Sequence, residues 1–108
     1  MYQVSLAQFE GPLDLLLHLI EKAEMDIKEI SISEITSQYL AYMDQIGTLD
    51  PDTASEFAAM AATLLLIKSR SLLPRPVPVP AEEEDPEEAL LRQIREYKTF
   101  KEAGERLR

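Results

Sequence analysis

Residues 57–67 read FAAMAATLLLI, and their side chains carry one hydroxyl, on Thr63, and no charge. They sit in a chain of 108 residues that is otherwise 29% charged. A surface helix shows water a polar face and buries an apolar one. This stretch has almost no polar face to show. The fold must therefore cover such a helix on more than one side, from its own elements or from another molecule.

The flanks of the run mark a long helix. Asp50 stands at the cap position, Pro51 at the first helical position, and Asp52 near the positive end of the helix dipole. Lys68 and Arg70 fall in the last turns and Pro74 stops the helix. From Pro51 to Leu73 it spans about 34 Å. At 100° per residue, Phe57, Ala61, Leu64 and Leu65 fall in one arc that faces the chain's own core. Roughly opposite lie Ser55, Ala59, Ala62, Leu66, Ser69 and Leu73, spaced 4, 3, 4, 3 and 4 apart. That heptad seam of small residues and leucines suits a closely approaching partner helix. A parallel seam, Ala54, Ala58, Ala61, Leu65, Lys68 and Leu72, has the same spacing, so spacing alone leaves two candidates. The expected partner surface is the first seam together with Arg70.

The remaining pattern predicts an all-α bundle. Residues 2–9 alternate loosely (Tyr2, Val4, Leu6) and read as a short strand or extended arm, packed on the helices or paired with an edge elsewhere. GPLDLLLHLIEKAEM, residues 11–25, reads as a first helix with Leu13, Leu16, Leu17, Ile20 and Ala23 on one stripe, widened by Leu15 and Leu19. Residues 31–47 read as a second, with Ser31 and Glu34 forming a capping box. Its inward face carries Ile32, Ile35, Tyr39, Tyr42, Met43 and Ile46, and Gly47 closes it in a left-handed conformation. The expected core is thus Leu13, Leu16, Leu17, Ile20, Ile35, Tyr39, Met43, Phe57, Ala61, Leu64 and Leu65. Residues 75–86, rich in proline and acid, read as a stiff linker between a helical domain at 1–74 and an amphipathic fourth helix at 87–108. That helix shows a narrow apolar face of Leu90, Ile94, Tyr97, Phe100 and Leu107, and is either a separate docking element or part of the core.

Net charge is −9, with AEEEDPEE (residues 81–88) alone supplying six carboxylates. An acidic body argues against direct contact with nucleic-acid phosphates. Cysteine is absent, which removes disulfides and thiolate chemistry and fits a reducing compartment. No stretch approaches the ~20 apolar residues of a membrane span, and the N-terminus lacks the features of a signal peptide. His18 is the only histidine, and reads as an edge residue on an apolar helix. Glu10 and Asp14 read as helix-start charges, and the three glycines are too scattered for a phosphate loop. No cofactor, metal site or catalytic constellation is expected.

Three stretches carry a resemblance: FEGPLDLLLHLIEKAEMDI, ITSQYLAYMDQI and ASEFAAMAATLLLIKSRSLLP. Together they resemble the N-terminal domain of the bacterial segregation and condensation protein A family, the kleisin subunits of SMC condensin complexes. The likeness covers about residues 2–74, with the acidic linker and REYKTFKEA in the family's style. It implies a non-enzymatic, cytoplasmic and nucleoid-associated adaptor whose third helix binds the head-proximal coiled coil of an SMC ATPase. A downstream winged helix would bind the second SMC head, and a dimer of segregation and condensation protein B would hold the acidic middle region. The chain stops at Arg108, before that winged helix, so a fragment of such a protein is the expectation. A self-associating helical scaffold without an SMC partner is the competing one.

Overall fold

Leu15, Leu16, Leu17, Leu19 and Ile20 are all at most 3% exposed. Successive helical residues point 100° apart, so these five occupy more than half of a helix circumference. Such a helix has to be enclosed. In the computed structural model, which describes residues 4–24, 26, 31–74, 78 and 80–106, it is helix α1 (Pro12–Lys22). It packs against α2 (Ile32–Ala41), α3 (Pro51–Ser71) and α4 (Pro86–Arg106). The fold is all-α, and among the described residues there is no strand.

Helix α1 starts where proline and Asp14 dictate. Pro12 occupies the first turn, and the Asp14 carboxylate accepts the Glu10 N–H at 3.0 Å. Asp14 is itself 6% exposed, and its other oxygen takes the Lys101 ammonium of α4 at 2.8 Å. Beside it the Tyr97 hydroxyl donates to Glu10 at 2.8 Å. A buried carboxylate without partners would be costly; here α4 supplies the cation. The helix ends at Lys22, earlier than its apolar pattern implied. Glu24 follows in the left-handed region at φ 57°, where glycine is more usual.

The N-terminal arm packs on the helices, one of the two expected placements, but as a tight turn in place of a strand. Leu6–Gln8 forms a 3₁₀ turn, started by Ser5, whose hydroxyl accepts the Ala7 N–H. Leu6 is fully buried, and the Gln45 side chain satisfies the arm's backbone. It accepts the Leu6 N–H at 2.9 Å and donates to the Val4 carbonyl at 3.4 Å. One amide does what a neighbouring strand would have done. Tyr2 lies outside the described residues.

Two expected helix signals near α2 are replaced by others. The Ser31–Glu34 capping box does not form: Ser31 Oγ lies 2.9 Å from Ser33 Oγ, and the Ile32 N–H goes to Glu87 of α4 at 2.8 Å. After Ala41 the chain tightens into a 3₁₀ segment, Tyr42–Thr48, and Gly47 lies within it without a positive φ. The tighter winding has three residues per turn. It aligns Met43, Ile46 and Leu49, which all rest half-buried against the core. A continued α-helix would have rotated one of them away.

Helix α3 is capped as its sequence implied. Asp50 accepts the Thr53 N–H at 3.1 Å, and the Thr53 hydroxyl first, then that N–H, hold the Asp50 carboxyl below the usual aspartate range. The fully buried Tyr39 donates its hydroxyl to the Phe57 carbonyl at 2.8 Å, fixing α3 on α2. Burial pushes that phenol well above its ordinary value.

Helix α4 belongs to the same core. Leu90 is 3% exposed and Ile94 fully buried, within one cluster with α1, α2 and α3 residues. Asp85 caps it through the Glu87 and Glu88 N–H groups and lies 3.9 Å from Arg70 of α3. The fourth helix is therefore not a detached docking element. Phe100 departs from its expected apolar face: it lies about 80° round the helix from Leu90 and is 73% exposed. Ile94→Ala should consequently lower stability by about 2–5 kcal/mol in urea unfolding. A detached helix would give a change within about 0.5 kcal/mol.

The Lys101 ammonium keeps its proton above the usual lysine range, mainly through its bond to Asp14. Its folded value being raised, the pair's contribution is complete below the unfolded lysine value of about 10.4 and is lost as pH climbs through the folded one. Lys101 is partly solvated, so the pair is screened. Urea midpoints measured from pH 8 to pH 11.5 should fall less steeply for Lys101→Gln than for the parent chain.

Candidate partner-binding surface

The rotation of α3 decides what it offers to another molecule. Phe57, Leu64 and Ile67 are buried and Met60 is half-buried, a stripe spaced 3, 4 and 3. α2 packs along that stripe, and the Tyr39 hydroxyl bonds to the helix there. On the opposite side Ser55, Ala59, Ala62, Leu66, Ser69 and Leu73 are all exposed, Leu66 at 53% and Leu73 at 42%. The second seam is mixed. Ala58, Leu65 and Leu72 are exposed, whereas Ala54, Ala61 and Lys68 are half-buried.

Leu65 is a correction to the expected core, for it stands 50% exposed. The inward arc runs from Phe57 through Leu64 toward Ile67, and Leu65 lies on its other side. Ile67 takes the place in the core assigned to Leu65. The 57–60–64–67 spacing signals this, but it is masked in a run where nearly every residue is apolar. Of the other core expectations, Leu16, Leu17, Ile20, Ile35, Tyr39, Phe57 and Leu64 are buried. Leu13, Met43 and Ala61 are half-buried against them. Leu6, absent from that set, is also fully buried. Its signal was weak, since a single alternating arm fixes no face.

Taken together, the exposed residues from Leu72 round to Ala59 cover about 140° of α3, and none is charged. Lys68 borders this face on one side; Asp52, Arg70 and Glu56 border it on the other. One of its two hydroxyls is turned to the backbone, Ser55 bonding to the Pro51 carbonyl at 2.8 Å. At the far edge the Thr63 hydroxyl does the same to Ala59 at 3.2 Å. The Arg70 guanidinium lies at the rim, near Asp85. Exposed uncharged patches of this breadth commonly mark places where one protein surface meets another apolar surface. It offers shape and apolar area, with no group placed for acid–base or nucleophilic work.

The polar residues singled out from the sequence are used within the fold. Glu10 and Asp14 join α1 to Tyr97 and Lys101. His18 packs tilted against Phe9 with ring centroids 5.2 Å apart, and its Nε2 is buried without a hydrogen-bond partner among the described residues. No group of three His, Asp or Glu among the described residues is arranged to hold a metal ion. No described helix is long and apolar enough to cross a membrane.

The family described as Segregation and condensation protein ScpA matches residues 19–108. A protein of Brevibacillus brevis named Segregation and condensation protein A is 50% identical over 115 residues, covering 99% of this chain and 45% of that protein. Proteins of the same name from Streptococcus mutans (51% over 104 residues, 96% and 44%) and Bacillus subtilis (49% over 112 residues, 99% and 45%) are similar to the same extent. The chain thus spans less than half the length of these relatives. With a family match over most of its residues and half of all aligned positions identical, the chain belongs to the family of segregation and condensation protein A.

Proposed function

We propose that this chain is the docking module of a non-enzymatic kleisin adaptor, and that it binds the head-proximal coiled coil of an SMC ATPase through α3. The observation that carries the reading is the uncharged, exposed 140° face. Its width holds two seams side by side, Ala58–Leu65–Leu72 and Ser55–Ala59–Ala62–Leu66–Ser69–Leu73. A coiled coil presents two helices, and each can take one seam in the shallow-angle packing of a helical bundle. The small residues allow close approach, while the leucines supply apolar area at about 25 cal/mol per Å².

In the longer protein this contact would be one end of a bridge between SMC heads, in chromosome condensation and segregation. That is a cytoplasmic, nucleoid-associated role consistent with the names of the relatives. Region 75–108 and the chain beyond it would meet a dimer of segregation and condensation protein B. With a net charge of −9 the module reaches DNA through its partners and not through its own phosphate contacts.

Ala62→Glu or Leu66→Glu should weaken association with an SMC head carrying its proximal coiled coil by on the order of 100-fold or more, measured by calorimetry. Unchanged affinity would remove α3 from the contact. A concentration-independent dimer of the isolated chain in light scattering would instead assign the face to a second copy. Leu65→Gln and Leu66→Gln should leave stability within about 0.5 kcal/mol, whereas Leu64→Gln, which buries an amide without partners, should cost several times more.

A further inference from the structure

Helix α4 carries a feature that neither the core nor the α3 face uses. Phe100 stands 73% exposed, an aromatic ring in water on an otherwise strongly charged helix. One turn later Gly104 sits inside the helix, where glycine is the poorest former after proline. A methyl group placed on Gly104 would meet nothing within 4 Å, and its φ is not positive. Neither packing nor backbone conformation requires a glycine there. What it does is leave space open beside the ring. An open cleft of about 320 Å³ lies at this point, lined by Glu10, Phe100, Lys101, Gly104 and Glu105.

Among the described residues the charge around the cleft is unbalanced. Glu10, Asp14 and Glu105 supply three carboxylates against one ammonium, on Lys101, and that ammonium is already bonded to Asp14 at 2.8 Å. Glu10 accepts the neutral Tyr97 hydroxyl, and Glu10 and Glu105 both feel the Lys101 charge at longer range without forming an ion pair with it. An anion would be repelled here. A purely apolar occupant would strip water from carboxylates without replacing it. A cation satisfies both the carboxylates and the face of the ring, and a planar guanidinium does so with the best geometry.

We propose that the Phe100–Gly104 cleft seats one arginine or lysine side chain of a partner protein, its cation on the Phe100 ring between Glu10 and Glu105, its backbone passing over Gly104. The seat differs in chemistry from the uncharged α3 face and stands independently of the function assigned to that face. Labelled protein titrated with N-acetyl-arginine amide, and separately with N-acetyl-norleucine amide, tests it by NMR. The expected result is saturable shifts at the Phe100 ring and the Gly104 amide with the arginine probe only, at roughly 1–10 mM. Binding should weaken at least tenfold in Phe100→Ala and in Gly104→Leu. Both variants change exposed positions, and Gly104→Leu should also raise the melting temperature. Equal shifts from the norleucine probe, shifts spread over the acids of residues 82–88, or unaltered binding in either variant would overturn the proposal. So would self-association that these variants abolish, which would place a second copy in the cleft.

Discussion

Helix α1 is the element on which the rest of the structure depends, because water can touch so little of it. Its leucines leave no broad face for solvent, so α2, α3 and α4 must all reach it. That requirement explains why α4, separated from α1 by most of the chain, folds back to join the core. It also explains the polar pairs at its far end. Asp14 starts α1 and is buried by the helices around it, so Lys101 has to arrive with α4. Covering α1 and neutralising Asp14 are two consequences of one placement.

The same constraint leaves α3 half uncovered. With 21 residues it is about 32 Å long, whereas α1 and α2, with 11 and 10, reach only about 17 and 15 Å. Two short helices packed on one side of a long one cannot also reach the other. Tyr39, bonded to the Phe57 carbonyl, fixes which side that is. An apolar helix held at a set rotation by a small rigid core presents its outer face without having to be ordered on binding. Under the proposed function, a partner would meet a preformed surface and avoid the entropic cost of shaping one.

Much of this was readable beforehand, wherever local chemistry and packing agree. The cap, proline and acid at Asp50–Asp52 set the start of α3, and the spacing of Ala59, Ala62 and Leu66 picked out residues that are exposed. Reading failed where a distant group replaced a local one. Ser31 was a sound cap by sequence, but the Glu34 N–H it would have capped bonds to the Ser31 carbonyl, and Glu87 satisfies the neighbouring Ile32 N–H from 55 residues away. Gln45 gave the N-terminal arm a partner that no strand pattern could reveal. Gly47 signalled a helix end, yet the 3₁₀ winding needed to bury Met43 and Ile46 absorbed it. Leu65 was misplaced because a run of consecutive apolar residues has no polar marks to fix its rotation.

The central claim is that α3 meets a pair of helices along the face from Leu72 to Ala59. The chain has no cysteine, so single cysteines can be placed along α3 and joined by a short bismaleimide to cysteines on the proximal coiled coil of an SMC head. The account predicts efficient cross-linking from positions 58, 59, 62, 65, 66, 69 and 72, with the 3–4 spacing of two helical seams. Positions 53, 60 and 71, on the inward side, should give little. Cross-linking without that period, or strongest from α4, would contradict it.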